Sequence, residues 1–386
     1  MSSEVYDCIV IGAGIQGSCT AYHLAKNQKK TLLLEQFVLP HSRGSSHGQT
    51  RIIRKSYPED FYIHMMTETY QLWAQMEKEA GVQLFRRTGL LVLGPENGDY
   101  KKIKANLQQH KVPIVLLEKE EFNKHIPNMN LTPGDGALVD TTAGLLYADR
   151  ALRSAQRLFQ SYGGVIKDGQ KVTDINPGSV VTVATASGTY RGRSVVITAG
   201  PWANTLLANV GLELPLQVVK INVCYWGEKV PGSYHISRRF PCFVQVESKE
   251  SKHHIYGFPS NEYPGLMKVC YHAGSETNPD FRDKQTDKTD IDIISRYIAR
   301  CFPALEPIPA VVETCLYTNT PDTHFVLDRH PTHSNIIIGA GFSGHGFKFG
   351  PLIGKILYEL SMGQAPSYDL SPFRIARFQH RQKSAL

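Results

Sequence analysis

Long apolar runs are missing from this chain. None approaches the roughly 20 residues that a bilayer-spanning helix needs, so no membrane partner is expected. No secretory leader is expected either: the apolar run Cys8–Ile11 is too short for one and feeds straight into a glycine-rich turn. The seven cysteines (Cys8, Cys19, Cys224, Cys242, Cys270, Cys301, Cys315) are odd in number and show no C-x-x-C spacing. That argues against a disulfide framework and against a metal site, and for a reducing compartment. Charge of one sign is not massed anywhere. The net charge is +7 and its basic residues are scattered, so nucleic acid is not an expected partner. The basic excess does suit an acidic ligand, such as a pyrophosphate or a substrate carboxylate. What remains, 41% hydrophobic and 20% charged residues over 386 positions, is the make-up of a globular protein large enough for two domains.

What the chain does have is concentrated near its start. The run Cys8–Ile11 reads as a buried parallel strand. It turns at Gly12-x-Gly14-x-x-Gly17 and enters a helical pattern from Ser18 to Lys26. A second apolar strand, Thr31–Glu35, ends on an acid eighteen positions after Gly17. Gly12 allows the tight turn, Gly14 lets the backbone approach a pyrophosphate, and Gly17 lets helix and strand pack closely. The helix N-terminus offers free N–H groups and a positive dipole end to phosphates. Glu35 can accept hydrogen bonds from a ribose hydroxyl. Strand, helix, second strand and acid together predict a dinucleotide site, without choosing between FAD and NAD.

The segment Pro40–Arg54 has neither helical nor strand period and predicts a loop lying against a polar ligand. Within it, Arg51 and Arg54 are either two solvated arginines on a short helix or two cations aimed into a cleft. Phe61–Gln83 predicts a long amphipathic helix and Phe85–Gly94 a strand. Residues 95–145 are polar and predict a surface excursion with two helices, and Ala148–Tyr162 predicts another helix. From Val165 to Ala199 short alternating segments predict a β-meander returning to a buried strand. Gly200-Pro201-Trp202 closes it, as a strand end touching a ligand or as an ordinary loop.

Residues 217–275 are rich in predicted strands. In Met267–His272 a period of two puts Lys268, Cys270 and His272 on one face, which predicts a polar cavity wall or, as the alternative, a solvent-exposed face. In Val311–Asn319 it puts Cys315, Tyr317 and Asn319 on one face. Near the end, Asn335–Lys348 is again strand then glycine turn, with Gly339, Gly341, Gly344 and Gly346. No acid ends a following strand, so a second nucleotide site is not predicted. The helix that follows, Leu352–Leu360, could instead turn its N-terminus toward a developing negative charge.

These motifs together resemble the monomeric sarcosine oxidase family of FAD-dependent amine oxidases, the animal sarcosine and pipecolate oxidases being the nearest branch. The resemblance covers nearly the whole chain. It rests on GAGIQG at 12–17, HSRGSSHGQTRIIR at 41–54, TAGPW at 198–202, IYGFP at 255–259, MKVCYH at 267–272, CLYTNTPD at 315–322 and GAGFSGHGFK at 339–348. It implies an α/β fold, with a Rossmann-like FAD domain of the p-hydroxybenzoate-hydroxylase type. An interleaved α+β substrate domain on a mainly antiparallel sheet is implied beside it. The boundaries expected are 1–85, 145–215 and 318–386 for the FAD domain, and 86–144 and 216–317 for the substrate domain.

The resemblance also implies site residues. FAD would be joined covalently by a thioether from Cys315. The rest of its contacts would come from Gly12, Gly14, Ile15, Gln16, Gly17, Glu35, Gln36, Ser45, His47, Thr50, Val172, Gly200, Trp202 and Gly346. Arg54 and Lys348 would grip a substrate carboxylate, and two cations from distant segments are a plausible clamp for one. Tyr256, His272, Tyr317 and Gly344 would line the amine side, and Arg51 would lie over the ring. Lys268 would promote the reaction of reduced flavin with oxygen, since a fixed charge lowers the cost of charge developing there. The implied reaction is oxidation of sarcosine, L-pipecolate or L-proline to an imine, which then hydrolyses, with oxygen reduced to hydrogen peroxide. Two alternatives remain: a dehydrogenase passing electrons to a protein acceptor, and a flavin-binding module without turnover. The resemblance favours a monomer. The C-terminal Ser384-Ala385-Leu386 is an imperfect match to a peroxisomal address read by an import receptor, the alternative being a cytoplasmic enzyme.

Overall fold

The computed structural model describes residues 4–378. Ser384-Ala385-Leu386, with the import signal read there, lies outside the described residues. Two large sheets and one small one organise the chain. The first sheet has eight strands. Five of them run parallel in the order Val165–Lys167, Thr31–Leu34, Val5–Ile11, Gly188–Ile197 and Ile336–Ala340. An antiparallel strand, Val326–Arg329, flanks the last, and the pair Val172–Asn176 and Val181–Thr185 folds back on the first half of Gly188–Ile197. Helices cover the central strands, which is why Cys8–Ile11, Thr31–Leu34 and Ile336–Ala340 are buried without a break and carry no polar alternation.

The second sheet has nine strands and is antiparallel except where Leu90–Pro95 runs parallel to Cys242–Gln245. Gln217–Glu228 pairs along its length with the fifteen-residue strand Leu305–Asn319 and, on its other side, with Leu266–Tyr271. Helix Thr289–Cys301 covers the far face, where Ile294, Tyr297 and Ile298 pack with Met267, Val269 and Tyr271. A three-stranded sheet of Thr50–Ile53, Gly144–Tyr147 and Phe85–Arg87 completes the set.

Three expectations need correction. Residues 95–145 are not a surface excursion. Besides the helices Gly98–Gln109 and Lys119–His125 they supply Asp135–Asp140, an almost wholly buried strand paired on both sides. The strand expected over Phe85–Gly94 is two, in different sheets, because Gly89 at φ +76° turns the chain between them. The segment before Arg54 is loop only in part: Thr50–Ile53 is a strand, so Arg51 does not sit on a helix. Helix Asp60–Ala80 closely matches its expected span and stops at Gly81, which adopts the left-handed conformation.

All seven cysteines are buried and unpaired. Among the described residues no helix is long and apolar enough to cross a membrane.

The dinucleotide-type turn is anchored by helix packing. Helix Ile15–Lys26 lies against helix Gly350–Ser361, and they approach so closely at Gly354 that an added Cβ would sit 2.6 Å from the Cys19 carbonyl carbon. That neighbour is backbone and cannot step aside. Alanine in a helix normally stabilises relative to glycine. At Gly354 the sign should reverse, Gly354→Ala losing about 1–3 kcal/mol by overpacking. Urea unfolding monitored by circular dichroism measures it, and a raised midpoint would show that the two helices part freely.

Candidate active site

One cavity of about 620 Å³ lies between the two large sheets. Its first part is built on the turn after Val5–Ile11. Gly12 has φ +100°, and a side chain there would meet the Thr198 carbonyl oxygen at 2.5 Å. A Cβ on Gly17 would fall 1.9 Å from the Gly12 oxygen. Gly17 thus permits the turn without lining the cavity, whereas Gly12, Gly14, Ile15 and Gln16 do line it. Gly14 caps helix Ile15–Lys26, and the Ile15 N–H donates to Ser46 Oγ at 3.0 Å. The buried Glu35 carboxylate accepts from the Ala13 N–H at 2.8 Å and the Phe37 N–H at 3.1 Å. Gln36, Val172, Gly200 and Trp202 continue this wall. Gly200-Pro201-Trp202 is therefore a strand end that meets the cavity, with the Trp202 indole tied to Asp280 at 2.8 Å.

The middle of the cavity joins Ser45–Thr50 to the strand Leu305–Asn319. Arg51 donates to the carbonyls of Ser45, His47 and Thr50 at 2.7–3.0 Å and lies over the Phe347 ring. His47 Nε2 contacts the Thr314 carbonyl at 2.9 Å, while its Nδ1 is buried without a partner. Burial, with the Arg51 charge beside it, pushes His47 down to about 4. Cys315 is buried with its Sγ 4.0 Å from the Ser45 carbonyl. Across from this stands Lys268, whose side chain is 6% exposed and lies 3.6 Å from the Glu262 carboxylate. Thr50 Oγ1 bridges them, accepting from Lys268 at 3.3 Å and donating to Glu262. Of the face expected on Leu266–Tyr271 and its continuation, Lys268 and His272 line the cavity. Cys270 does not. It is fully buried in the sheet opposite Tyr256. Asn319 likewise stands outside the lining.

The remaining wall is aromatic on one side and cationic on the other. The Tyr256 and Tyr317 hydroxyls meet at 3.0 Å, and the His272 ring lies 6.0 and 5.1 Å from those rings. Gly344, at φ +75°, faces them. A Cβ there would fall 2.5 Å from Tyr317 and 2.6 Å from His272, so only glycine leaves this hollow open. Opposite, the Arg54 guanidinium stacks 4.2 Å from the Tyr57 ring centroid. Lys348 Nζ donates to the Tyr57 hydroxyl and the His345 carbonyl, both at 2.9 Å. Burial, then Arg54 and Arg51, hold Lys348 well below the usual lysine range. Arg54 Nη1 is buried with no partner. Gly346 receives the Gln16 amide on its carbonyl at 2.9 Å and so ties the two glycine turns together. The cavity lining stops at Lys348, ahead of helix Gly350–Ser361, so the turn rather than that helix's N-terminus faces the site.

Two residues that matter here escaped sequence reasoning. Tyr57 organises both cations, but it follows the end of a short strand, where no period assigns it a face. Glu262 sits in an irregular loop, so only the fold reveals its contact with Lys268. The chemistry on offer is nevertheless clear. Tyrosines kept protonated by burial and neutral imidazoles form one side, and the basic side chains of Arg54 and Lys348 form the other. Such a pocket orients a small molecule bearing a carboxylate at one end and an uncharged nitrogen at the other. The rest of the cavity fits a flavin dinucleotide. It offers a phosphate-facing helix end, a buried acid at the second strand, and buried polar atoms of Gln16 and His47 that lack partners. Among the described residues no cluster suited to a metal ion occurs.

The model of the family described as FAD dependent oxidoreductase matches residues 7–360. Peroxisomal sarcosine oxidase of Homo sapiens is 57% identical, covering 99% of both chains. The Mus musculus protein of the same name is 55% identical over 100% of this chain and 99% of its own. Among solved structures, NikD, an unusual amino acid oxidase essential for nikkomycin biosynthesis, superposes with a TM-score of 0.83 at 24% identity. The match covers 97% of this chain and 98% of NikD.

Half-buried imidazoles give the site an acid limit, among them His47, His254 and His272. Burial, the largest cause for each, lowers His47 and His254 to about 4 and His272 to about 3, from an ordinary 6.5. The folded state therefore favours their neutral forms. The stability this confers is complete above pH 6.5 and is lost as pH falls toward 4 and then 3. The urea midpoint should fall between pH 7 and pH 5, and His254→Gln should flatten that slope. An equally steep slope in the variant would move the effect to other groups.

Proposed function

The chain belongs to the family of FAD-dependent oxidoreductases, and from that premise we propose that it oxidises small secondary amino acids, sarcosine first, with L-pipecolate and L-proline as further substrates. It is an amine oxidase, with oxygen as the acceptor and hydrogen peroxide as the product. The observation that carries the substrate class is the opposition of Arg54 and Lys348 to a wall of neutral groups, Tyr256, Tyr317 and His272. A carboxylate is drawn to the cations, and Arg54 Nη1 has a donor left for it. The amine nitrogen then lies toward groups that do not stabilise its protonated form through a negative charge. Neutral His272 can accept a hydrogen bond from the substrate N–H. Gly344 leaves the hollow in which the substrate sits.

Bound in this cavity, FAD would supply the two-electron acceptor for the hydride equivalent that leaves the carbon next to nitrogen. The turn Gly12–Gly17 and the N-terminus of helix Ile15–Lys26 would hold its pyrophosphate, and Glu35 a ribose. Gln36, Val172, Gly200 and Trp202 would enclose that end. Ser45, His47, Thr50, Arg51 and Gly346 would flank the other, with Cys315 as the covalent tether. Lys268 would place a positive charge where oxygen is reduced. We read the cofactor-binding and substrate-binding parts as dividing at 85/86, 144/145, 215/216 and 317/318: the eight-stranded sheet falls in the first part and the nine-stranded sheet in the second, except for the end of Leu305–Asn319, while the three-stranded sheet spans both. A peroxisomal location accords with the names of the human and mouse relatives, and we read the enzyme as a monomer.

The purified protein should form one hydrogen peroxide per sarcosine consumed. Substrate turnover without oxygen uptake would mark a dehydrogenase instead. Cys315→Ser should release its flavin into the supernatant on acid precipitation, whereas the parent pellet stays yellow; a yellow variant pellet would remove the tether from Cys315. Arg54→Ala and Lys348→Ala should each weaken substrate binding by about 2–4 kcal/mol. The substrate amide should bind the parent poorly but lose little further in either variant. Equal losses for acid and amide would refute the carboxylate clamp.

A further inference from the structure

Reduction of oxygen to hydrogen peroxide takes up two electrons and two protons, yet Lys268, the cation that would serve that step, is almost sealed from water. The side chains behind it are joined. Lys268 Nζ lies 3.6 Å from Glu262 Oε1, and the Thr50 hydroxyl bridges the same two groups. The other Glu262 oxygen accepts from the Tyr225 hydroxyl at 2.5 Å. That hydroxyl is also 3.4 Å from Glu313 Oε2, and the opposite Glu313 oxygen accepts from Tyr263 at 2.6 Å. Glu262 is 4% exposed, whereas Glu313 and Tyr263 are half-buried and reach solvent. Burying the Glu262 side chain so deeply costs stability, which the cation beside it and the hydroxyls of Thr50 and Tyr225 offset.

We propose that Glu262 and Tyr225 form a proton path from the half-exposed Glu313 to Lys268, and that Glu262 sets the protonation of Lys268 during oxygen reduction. This rests on the reading of Lys268 as the group that serves oxygen. The electrons come from the amine substrate by way of the cofactor, and oxygen is the oxidant. One of the two protons leaves the substrate with the hydride equivalent, and the Lys268 ammonium passes the other to the forming peroxide. Tyr225 hands its hydroxyl proton to the Glu262 carboxylate while taking one that Glu313 draws from solvent, and Glu262 returns it to the Lys268 amine. Each donor is restored, so the path transfers a proton without net change in the chain. The groups facing Glu262 come from four elements. Lys268 and Cys270 stand on Leu266–Tyr271, Tyr225 on Gln217–Glu228, Glu313 on Leu305–Asn319 and Thr50 on Thr50–Ile53, with Tyr263 in its own loop. Lys268 is the only cation among them, so loss of the Glu262 charge should lower its proton affinity.

The test uses holoenzyme reduced anaerobically with sarcosine and then mixed with oxygen over a range of pH, in H2O and D2O. Lys268→Met establishes the underlying reading. If it reoxidises at the parental rate, Lys268 does not serve oxygen, and that reading fails before the path is at issue. Given a slowed Lys268→Met, Glu262→Gln should slow reoxidation at least tenfold relative to reduction and move the alkaline fall in its rate to lower pH by a unit or more. Tyr225→Phe should slow reoxidation similarly and change the solvent isotope effect. A readout without turnover is the pH titration of the resting flavin spectrum: the step abolished by Lys268→Met should move to lower pH in Glu262→Gln. Parental reoxidation profiles in both Glu262→Gln and Tyr225→Phe would overturn the path, as would an unmoved spectral step. Tyr225→Phe decides alone if Glu262→Gln does not fold.

Discussion

Four long cationic side chains, Arg51, Arg54, Lys268 and Lys348, converge on one buried cavity, and burial disfavours charge. Each is accommodated differently. Arg51 is wrapped in three backbone carbonyls, Arg54 lies flat on an aromatic ring, and Lys348 is held by a hydroxyl and a carbonyl. Lys268 alone meets a carboxylate directly. Among the described residues no carboxylate pairs with Arg51, Arg54 or Lys348, although acids line other parts of the cavity, and the most effective relief there is an anion from outside. An acidic ligand gains the interaction that the protein withholds from its own side chains. This favours substrates that keep a free carboxylate and penalises amines without one.

That arrangement depends on bringing remote parts of the chain close together. The parallel sheet delivers the glycine turn and Glu35 at its strand ends, where ligands of open α/β sheets sit. The second sheet delivers Lys268, Cys315 and Tyr317 on two strands that both pair with Gln217–Glu228. Gly344 then lets the second glycine turn press against Tyr317 and His272. A substitution at any of these close approaches would shift the rings rather than merely fill space, because the neighbours are themselves packed from behind.

Much of this was legible in the sequence, for specific reasons. The first glycine turn is local: strand, turn, helix and acid are spaced along 30 residues, and the structure keeps that spacing. The faces of Leu266–Tyr271 and Leu305–Asn319 follow from a period of two, which brought Lys268 and Tyr317 to the cavity. The period failed for Cys270 because a residue can point toward a cavity yet be covered by its cross-strand neighbour, here Tyr256. Asp135–Asp140 was missed because its glycine, its alanine and two terminal acids hide a strand whose burial is decided by partners on both sides. Tyr57 and Glu262 sit beyond strand ends, where only tertiary contacts fix what a side chain touches.

The burial of the six cysteines outside the cavity lining acquires a meaning once the product is considered. Hydrogen peroxide attacks thiolates, not thiols, and it must reach them. Burial raises Cys8 and Cys242 to about 12 and Cys270 to about 11, leaving almost no thiolate at neutral pH. An enzyme that releases an oxidant at every turnover thus presents scarcely any free thiolate for that oxidant to damage. Its working lifetime is protected by the same packing that holds its sheets together.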